Sequence, residues 1–218
     1  MIYREYIKRV LDFVFALLLL ILLSPLLLVV TIWLHFANKG AGAFFTQERP
    51  GKDEKIFRLY KFKSMTDERD VEGNLLPDAD RITRAGRFVR STSIDELPQL
   101  WNVLKGDMSF IGPRPLTTDY LQVLSKYYSQ RHSVRPGISG LAQVKGRSSL
   151  KLSKKFRYDV FYAQNTSPSL DMFIVKETIF KVLSRQNIGE GNGCMEEIDD
   201  LGYSPRMKMN TQINSERD

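Results

Sequence analysis

Residues 13–34, FVFALLLLILLSPLLLVVTIWL, form an apolar run interrupted only by the Ser24-Pro25 step and Thr31. At about 1.5 Å per residue, a helix of this length would cross a hydrocarbon core of about 30 Å if it stayed straight. Pro25 opposes straightness. It has no N–H for the carbonyl of Ile21 and its ring crowds that carbonyl, so a kink or break is predicted there, with the Ser24 hydroxyl available to the freed group. Arg4, Lys8 and Arg9 precede the run and Lys39, Arg49, Lys52 and Lys55 follow it. The tendency of Lys and Arg to stay cytoplasmic draws both flanks to one membrane face. A re-entrant hairpin bent at Ser24-Pro25 satisfies both; a single-pass anchor with a tolerated proline is the alternative. A cleaved signal peptide fits less well, because its apolar region spans only about 7–15 residues and no A-x-A-like site follows here.

Beyond the run the pattern changes period. Residues 41–47 and 56–62 are aromatic-rich and flank Pro50-Gly51, which predicts a β-hairpin. Residues 67–80 read as an exposed polar loop. In IDELPQLWNVLKG, Leu97, Leu100, Trp101 and Leu104 recur at helical spacing and Gly106 is placed to end the helix. Ser93 and Glu96 have capping-box spacing, whereas Pro98 favours a start at Asp95 or later. Either way Asp95 and Glu96 sit at a helix N-terminus. A Gly/Pro loop (106–115), a helix (118–133), a second Gly/Pro loop (134–149) and helices over 152–163 and 170–183 follow. The last helix fits either a membrane surface or an ordinary core. The expected class is α+β and helix-rich: a membrane helix (1–38), one compact cytoplasmic domain with a small hairpin (39–188) and a polar, acidic, loosely ordered tail (189–218).

The net charge is +7, yet residues 189–218 hold three basic and seven acidic residues, so the remainder carries +11. Next to a bilayer-entering segment, anionic phospholipids and phosphate-bearing substrates suit such a surface better than nucleic acid. Cys194 is the only cysteine, and His35 and His132 are the only histidines. An internal disulfide and the usual Cys/His zinc sites are excluded. Catalysis must then use carboxylates, Lys, Arg, hydroxyls or a metal held by oxygen.

Asp95-Glu96 is the candidate pair. Adjacent helical residues point about 100° apart, so the two carboxylates are free to take different tasks, one attacking and one holding a metal. A helix N-terminus also favours an incoming phosphate. Alone, such a dipeptide is more often a capping feature. Its surroundings are basic: Arg84, Arg87 and Arg90 upstream, Arg114 between Pro113 and Pro115, and Arg135 and Arg147 around a Gly-rich loop. Guanidinium forks match phosphate oxygens.

KFKSM (61–65), RSTSIDELPQLWNVLKGDMSFIGPRP (90–115) and VRPGISGLAQVKGR (134–147), behind an apolar Ser-Pro segment, resemble the bacterial sugar transferase family, in its small, monotopic, PglC-like members. The resemblance covers about residues 3–188. It implies a re-entrant helix with both ends cytoplasmic, at the cytoplasmic face of the cell inner membrane. It implies transfer of a phosphosugar from a UDP-sugar to undecaprenyl phosphate, with release of UMP, as the first membrane step of glycoconjugate synthesis. Mg²⁺ is the implied cofactor. Asp95 would be the nucleophile that carries a covalent phosphosugar, and Glu96 the metal ligand. Lys61, Arg90 and Arg114 fall on basic active-site positions, and Asp171 on an acidic one. Where many members read GITGWAQVNGRN, this chain has Leu141, Lys145 and Ser148 in place of an aromatic residue and two amides. Sugar identity therefore stays open between N,N′-diacetylbacillosamine, a hexose and another N-acetylated sugar. The rival class is a membrane-tethered, basic lipid- or nucleic-acid-binding module, which explains the charge but not the dyad.

Overall fold

The computed structural model describes residues 2–146, 150–184 and 198–204. A π-helical stretch, Tyr3–Ile7, leads into α1 (Lys8–Ala37), which stays helical through Pro25. The expected break at Ser24-Pro25 is corrected in this respect. The Ser24 hydroxyl donates to the Ile21 carbonyl at 2.8 Å, which supplies the bond that Pro25 cannot and lets the helix continue.

Both limbs of α1 rest on the rest of the fold. Arg9 donates to the Val103 and Leu104 carbonyls at 2.7 and 2.8 Å, at the end of α3 (Gln99–Lys105). Arg4 donates to the carbonyls of Ala163 and Ser133 at 3.0 and 2.6 Å. Cations on the last carbonyls of a helix gain both hydrogen bonds and a favourable dipole. Ala16 packs with Leu59, Val103 and Met108, whereas Val30 and Leu34 pack with Ala43, Phe62, Ala85 and Val89. Between these anchors Leu18, Ile21 and Leu22 are exposed.

Asn38 ends α1, and its buried amide donates to the carbonyls of Gly42 (2.9 Å) and Lys63 (2.7 Å). The chain then enters the expected hairpin, β1 (Phe44–Pro50) antiparallel to β2 (Ile56–Phe62), with Phe45 opposite Lys61. After the polar loop, Thr83 caps α2 (Arg84–Ser91) by accepting from the Gly86 amide at 2.8 Å. Gly86 permits close contact with the strand end: a Cβ there would lie 1.8 Å from the Ser64 carbonyl oxygen. A 3₁₀ turn (Ile94–Glu96) precedes α3, and Gly106 (φ 94) terminates α3 as expected.

Two segments read as Gly/Pro loops pair as short parallel strands, β3 (Ser109–Ile111) and β4 (Gly137–Ser139). Here glycine serves close approach: a Cβ on Gly137 would meet the Gly112 nitrogen at 2.1 Å. Helices α4 (Leu141–Lys145), α5 (Leu152–Gln164) and α6 (Pro168–Leu183) complete the domain, the last two agreeing with the sequence pattern.

The helix expected over 118–133 is instead a 3₁₀ stretch (Thr118–Gln122), one α turn (Lys126–Ser129) and another 3₁₀ stretch (Gln130–Ser133). Ser125 is extended and accepts from the Tyr128 amide, which restarts the helix and breaks the longer one. The apolar residues of this stretch still serve packing, since Leu116, Tyr120, Val123, Leu124 and Tyr128 all meet Leu152 or its neighbours in one cluster. The tail was expected to be loosely ordered, but residues 198–204 pack into this same cluster through Tyr203, which is 5% exposed. The remaining tail positions and Arg147 and Ser148 lie outside the described residues.

Candidate active site

The hairpin supplies one wall of the site. Side chains two apart on a strand share a face, and Phe45, Gln47 and Arg49 of β1 with Leu59 and Lys61 of β2 line a cleft of about 1290 Å³. The outer edge of β2 is completed by a side chain rather than a third strand. Asn102 of α3, fully buried, accepts from the Tyr60 amide at 3.1 Å and donates to the Arg58 carbonyl at 2.8 Å. This ties the segment that bears the dyad to the strand that bears Lys61.

Asp95 and Glu96 lie on the 3₁₀ turn ahead of α3, not within the helix itself. Ser93, held in the left-handed region (φ 57), turns the chain from α2 into that short element. Glu96 Oε1 receives Lys61 Nζ at 3.2 Å and Arg114 Nη2 at 2.8 Å, whereas Lys61 Nζ is 3.9 Å from Asp95 Oδ2. The neighbours thus acquire opposite characters. Burial alone would raise Glu96, but the charges of Arg114 and Lys61 hold it down to about 2. Burial pushes Asp95 up to about 6; Lys61 opposes this and the Glu96 charge adds to it. Two carboxylates whose proton affinities are driven apart by their settings are equipped for different tasks.

Arg90 lines the same cleft and donates to the Ser64 hydroxyl at 2.7 Å. Arg114 is half exposed, so its guanidinium remains reachable by a ligand while holding Glu96. Lys61, Arg90, Asp95, Glu96 and Arg114 are therefore brought together. Asp171 is not. Its carboxylate accepts from Tyr3 and Lys8 at 2.7 Å each and from Tyr162 at 2.6 Å, clamping the N-terminal segment to α6 away from the dyad.

Sequence reasoning missed Asn102 and the pair Arg131–Asp159. Arg131, 2% exposed, donates to Asp159 from Nε (3.1 Å) and Nη2 (2.7 Å), and Nη2 also reaches the Arg114 carbonyl at 2.6 Å. Nothing in the spacing around QRHS marks this arginine, because its partner lies in a different helix.

Among the described residues no group of three or more His, Cys, Asp or Glu side chains converges as a metal cage. Mg²⁺ needs no such cage, since it keeps several waters and is usually bound by one or two carboxylates plus substrate phosphates. The adjacent carboxylates of Asp95 and Glu96 fit that demand. The lining of the cleft includes Leu19 and Leu23 of the apolar α1 and, where α5 packs, Tyr120, Leu152, Lys155, Phe156 and Asp159. A cationic centre with two carboxylates, in a cleft whose wall includes leucines of the apolar helix, suits chemistry on a phosphate that belongs partly to a lipid.

Residues 3–185 match the bacterial sugar transferase family, and the chain belongs to it. It is 49% identical over 191 residues to an uncharacterized sugar transferase, EpsL, of Bacillus subtilis, covering 88% of this chain and 94% of that protein. It is 40% identical over 187 residues (82% of this chain) to the UDP-N-acetylgalactosamine-undecaprenyl-phosphate N-acetylgalactosaminephosphotransferase of Aeromonas hydrophila. It is also 40% identical over 186 residues (80% of this chain) to the UDP-glucose:undecaprenyl-phosphate glucose-1-phosphate transferase of Klebsiella pneumoniae. The matched region spans only 44% and 39% of these last two proteins.

The proton affinity of Asp95 predicts a pH dependence. Below about pH 6 the carboxylate takes a proton and loses its negative charge, so any activity using it as an anion falls about tenfold per unit. The measurement is kcat/KM for the donor, or single-turnover labelling without acceptor, between pH 4.5 and 8. A flat profile down to pH 4.5 contradicts the assignment.

Proposed function

We propose that this protein transfers a sugar-1-phosphate group from a UDP-sugar to undecaprenyl phosphate, with Asp95 as the nucleophile. The observation that carries this reading is the division of charge in the dyad. Glu96 is occupied by Lys61 and Arg114, whereas Asp95 stands beside them without a hydrogen bond from either cation. The names of the Aeromonas and Klebsiella relatives describe this kind of transfer onto undecaprenyl phosphate.

In the first step an oxygen of Asp95 attacks the phosphorus that bears the sugar. The bond from that phosphorus to the bridging oxygen breaks, and the electron pair leaves with UMP. In the second step a phosphate oxygen of undecaprenyl phosphate attacks the same phosphorus. The aspartyl oxygen–phosphorus bond breaks, giving undecaprenyl-diphosphate-sugar and restoring the carboxylate. No base is needed, because Asp95 is mostly ionised at neutral pH and a phosphomonoester with a second pKa of about 6 is mostly a dianion. Lys61, Arg90 and Arg114 lower the repulsion between the attacking carboxylate and the diphosphate. Mg²⁺, held by Glu96, would supply further neutralisation of the diphosphate charge.

The same reading includes a re-entrant α1 whose apex lies near Ser24-Pro25 and whose ends both stay at the cytoplasmic face. Its support is the docking of both limbs on one domain: Arg9 and Ala16 on one side of Pro25, Val30 and Leu34 on the other. A helix crossing the bilayer would carry one of these limbs away from the domain. The exposed middle, including Leu18, Ile21 and Leu22, is then the part solvated by lipid.

Two experiments test these statements. Asp95→Asn is expected to abolish UMP release and labelling by a donor radioactive at the β-phosphate, whereas Glu96→Gln shifts the Mg²⁺ requirement to higher concentration. Labelled phosphosugar trapped on Asp95→Asn would overturn the nucleophile. For topology, Ile2→Cys and Lys39→Cys in a Cys194→Ser background are expected to resist a membrane-impermeant maleimide in intact spheroplasts and to react after permeabilisation. Reaction of either in intact spheroplasts would show that α1 crosses.

A further inference from the structure

The family match ends at residue 185, yet the chain returns to the cleft beyond it. Ile198 and Asp199 line the cleft next to the residues that pack with Tyr203, among them Tyr120 and Phe156. The return is built rather than incidental. Tyr203 stacks on Phe156 of α5, with ring centres 6.3 Å apart and planes at 27°, inside the cluster of Leu152 and Tyr120. Asp200 accepts from the Ser153 amide at 3.0 Å and from its hydroxyl at 2.6 Å, at the start of α5. Asp199 accepts from the amides of Tyr203 (3.1 Å) and Ser204 (2.7 Å), which fixes the turn that brings Tyr203 round.

The position in the cleft determines what this segment can meet. The cations of the centre, Lys61, Arg90 and Arg114, claim the phosphates. The side bordered by Leu19 and Leu23 is apolar and contiguous with the lipid-entering helix, so it suits the polyprenyl chain. Where Ile198 and Asp199 enter, the wall mixes Leu116, Leu152 and Phe156 with Tyr120 and Lys155, and its polar groups suit the hydroxyls and amides of the water-soluble donor. A carboxylate such as Asp199 repels phosphate oxygens but accepts hydrogen bonds from sugar hydroxyls or N–H groups.

We propose that Ile198 and Asp199, held by the docking of Asp200 and Tyr203, form the donor-side wall of the cleft and help set which nucleotide sugar is accepted. The inference rests on the phosphosugar-transfer reading above and adds a specificity element outside the family-matched region. A carboxylate such as Asp199 that pairs with some donor hydroxyls and not others discriminates through the groups left unpaired.

The test uses the full-length protein in detergent or nanodiscs, with UDP-N-acetylgalactosamine, UDP-glucose, UDP-galactose and UDP-N,N′-diacetylbacillosamine as donors. Tyr203→Ala and Asp200→Ala each loosen the segment at a different contact; Tyr203→Phe keeps the stacked ring. Both loosened variants are expected to raise the donor KM about tenfold for the preferred sugar and to narrow the spread of kcat/KM among the four. The KM for undecaprenyl phosphate should stay within about twofold, and Tyr203→Phe should restore the wild-type donor KM. Unchanged donor KM and ranking in both loosened variants overturn the inference, as does an equal rise in donor and acceptor KM. Wild-type protein that releases UMP from none of the donors overturns the transfer reading itself, a result distinct from either.

Discussion

Glu96 is shared by two cations, and the arrangement of the centre follows from that sharing. Lys61 arrives on β2 and Arg114 on a loop stiffened by two prolines, so their meeting on one carboxylate oxygen joins two parts of the chain. A half-buried carboxylate is tolerable only with such partners. Asp95, one residue away, shares the low-dielectric setting without a hydrogen bond from Lys61 or Arg114. It keeps a raised proton affinity and an oxygen free to react. Proximity of like charges separates the two carboxylates further, since an ionised Glu96 makes ionisation of Asp95 harder.

Around this cluster lies a shell of buried polar contacts that fixes the backbone. Asn102 fastens α3 to the edge of β2, and Arg131, itself held by Asp159, fastens the Arg114 carbonyl. These side chains act through others. Their burial leaves little freedom for the Arg114 loop, so the guanidinium is presented at a fixed distance from the dyad. Beneath the hairpin, α1 contributes Ala16 to one cluster and Val30 and Leu34 to another. The long apolar helix is thereby part of the domain's own packing, and its Leu19 and Leu23 line the same cleft as the cationic centre.

Much of this was legible in the sequence, and the omissions have physical causes. The hairpin, α3 with its Gly106 stop, α5 and α6 follow from local periodicity and turn chemistry, and the basic residues around Asp95-Glu96 from adjacency in the motifs. The Ser24 hydroxyl was foreseen as a partner for the freed Ile21 carbonyl, but the continuity of α1 was misread because that one bond was not expected to be enough to carry the helix through Pro25. The β3–β4 pair was hidden because glycine and proline signal loops, whereas here glycine allows backbones to touch. Asp171 was assigned to the site through family resemblance, but its three partners come from the N-terminal segment and α5. Arg131 and the docked Tyr203 depend on contacts across long sequence separations, for which a single chain carries no local signal.

The central claim is that Asp95, and no other group, receives the phosphosugar because the cations are committed to Glu96. It is tested most directly by incubating the protein with a donor that supports turnover, without acceptor, quenching in acid, digesting, and locating the added mass by tandem mass spectrometry. The account predicts one equivalent of phosphosugar on Asp95, discharged by undecaprenyl phosphate. An adduct on a different residue, or full acceptor-dependent turnover with no adduct at any time point, would contradict it.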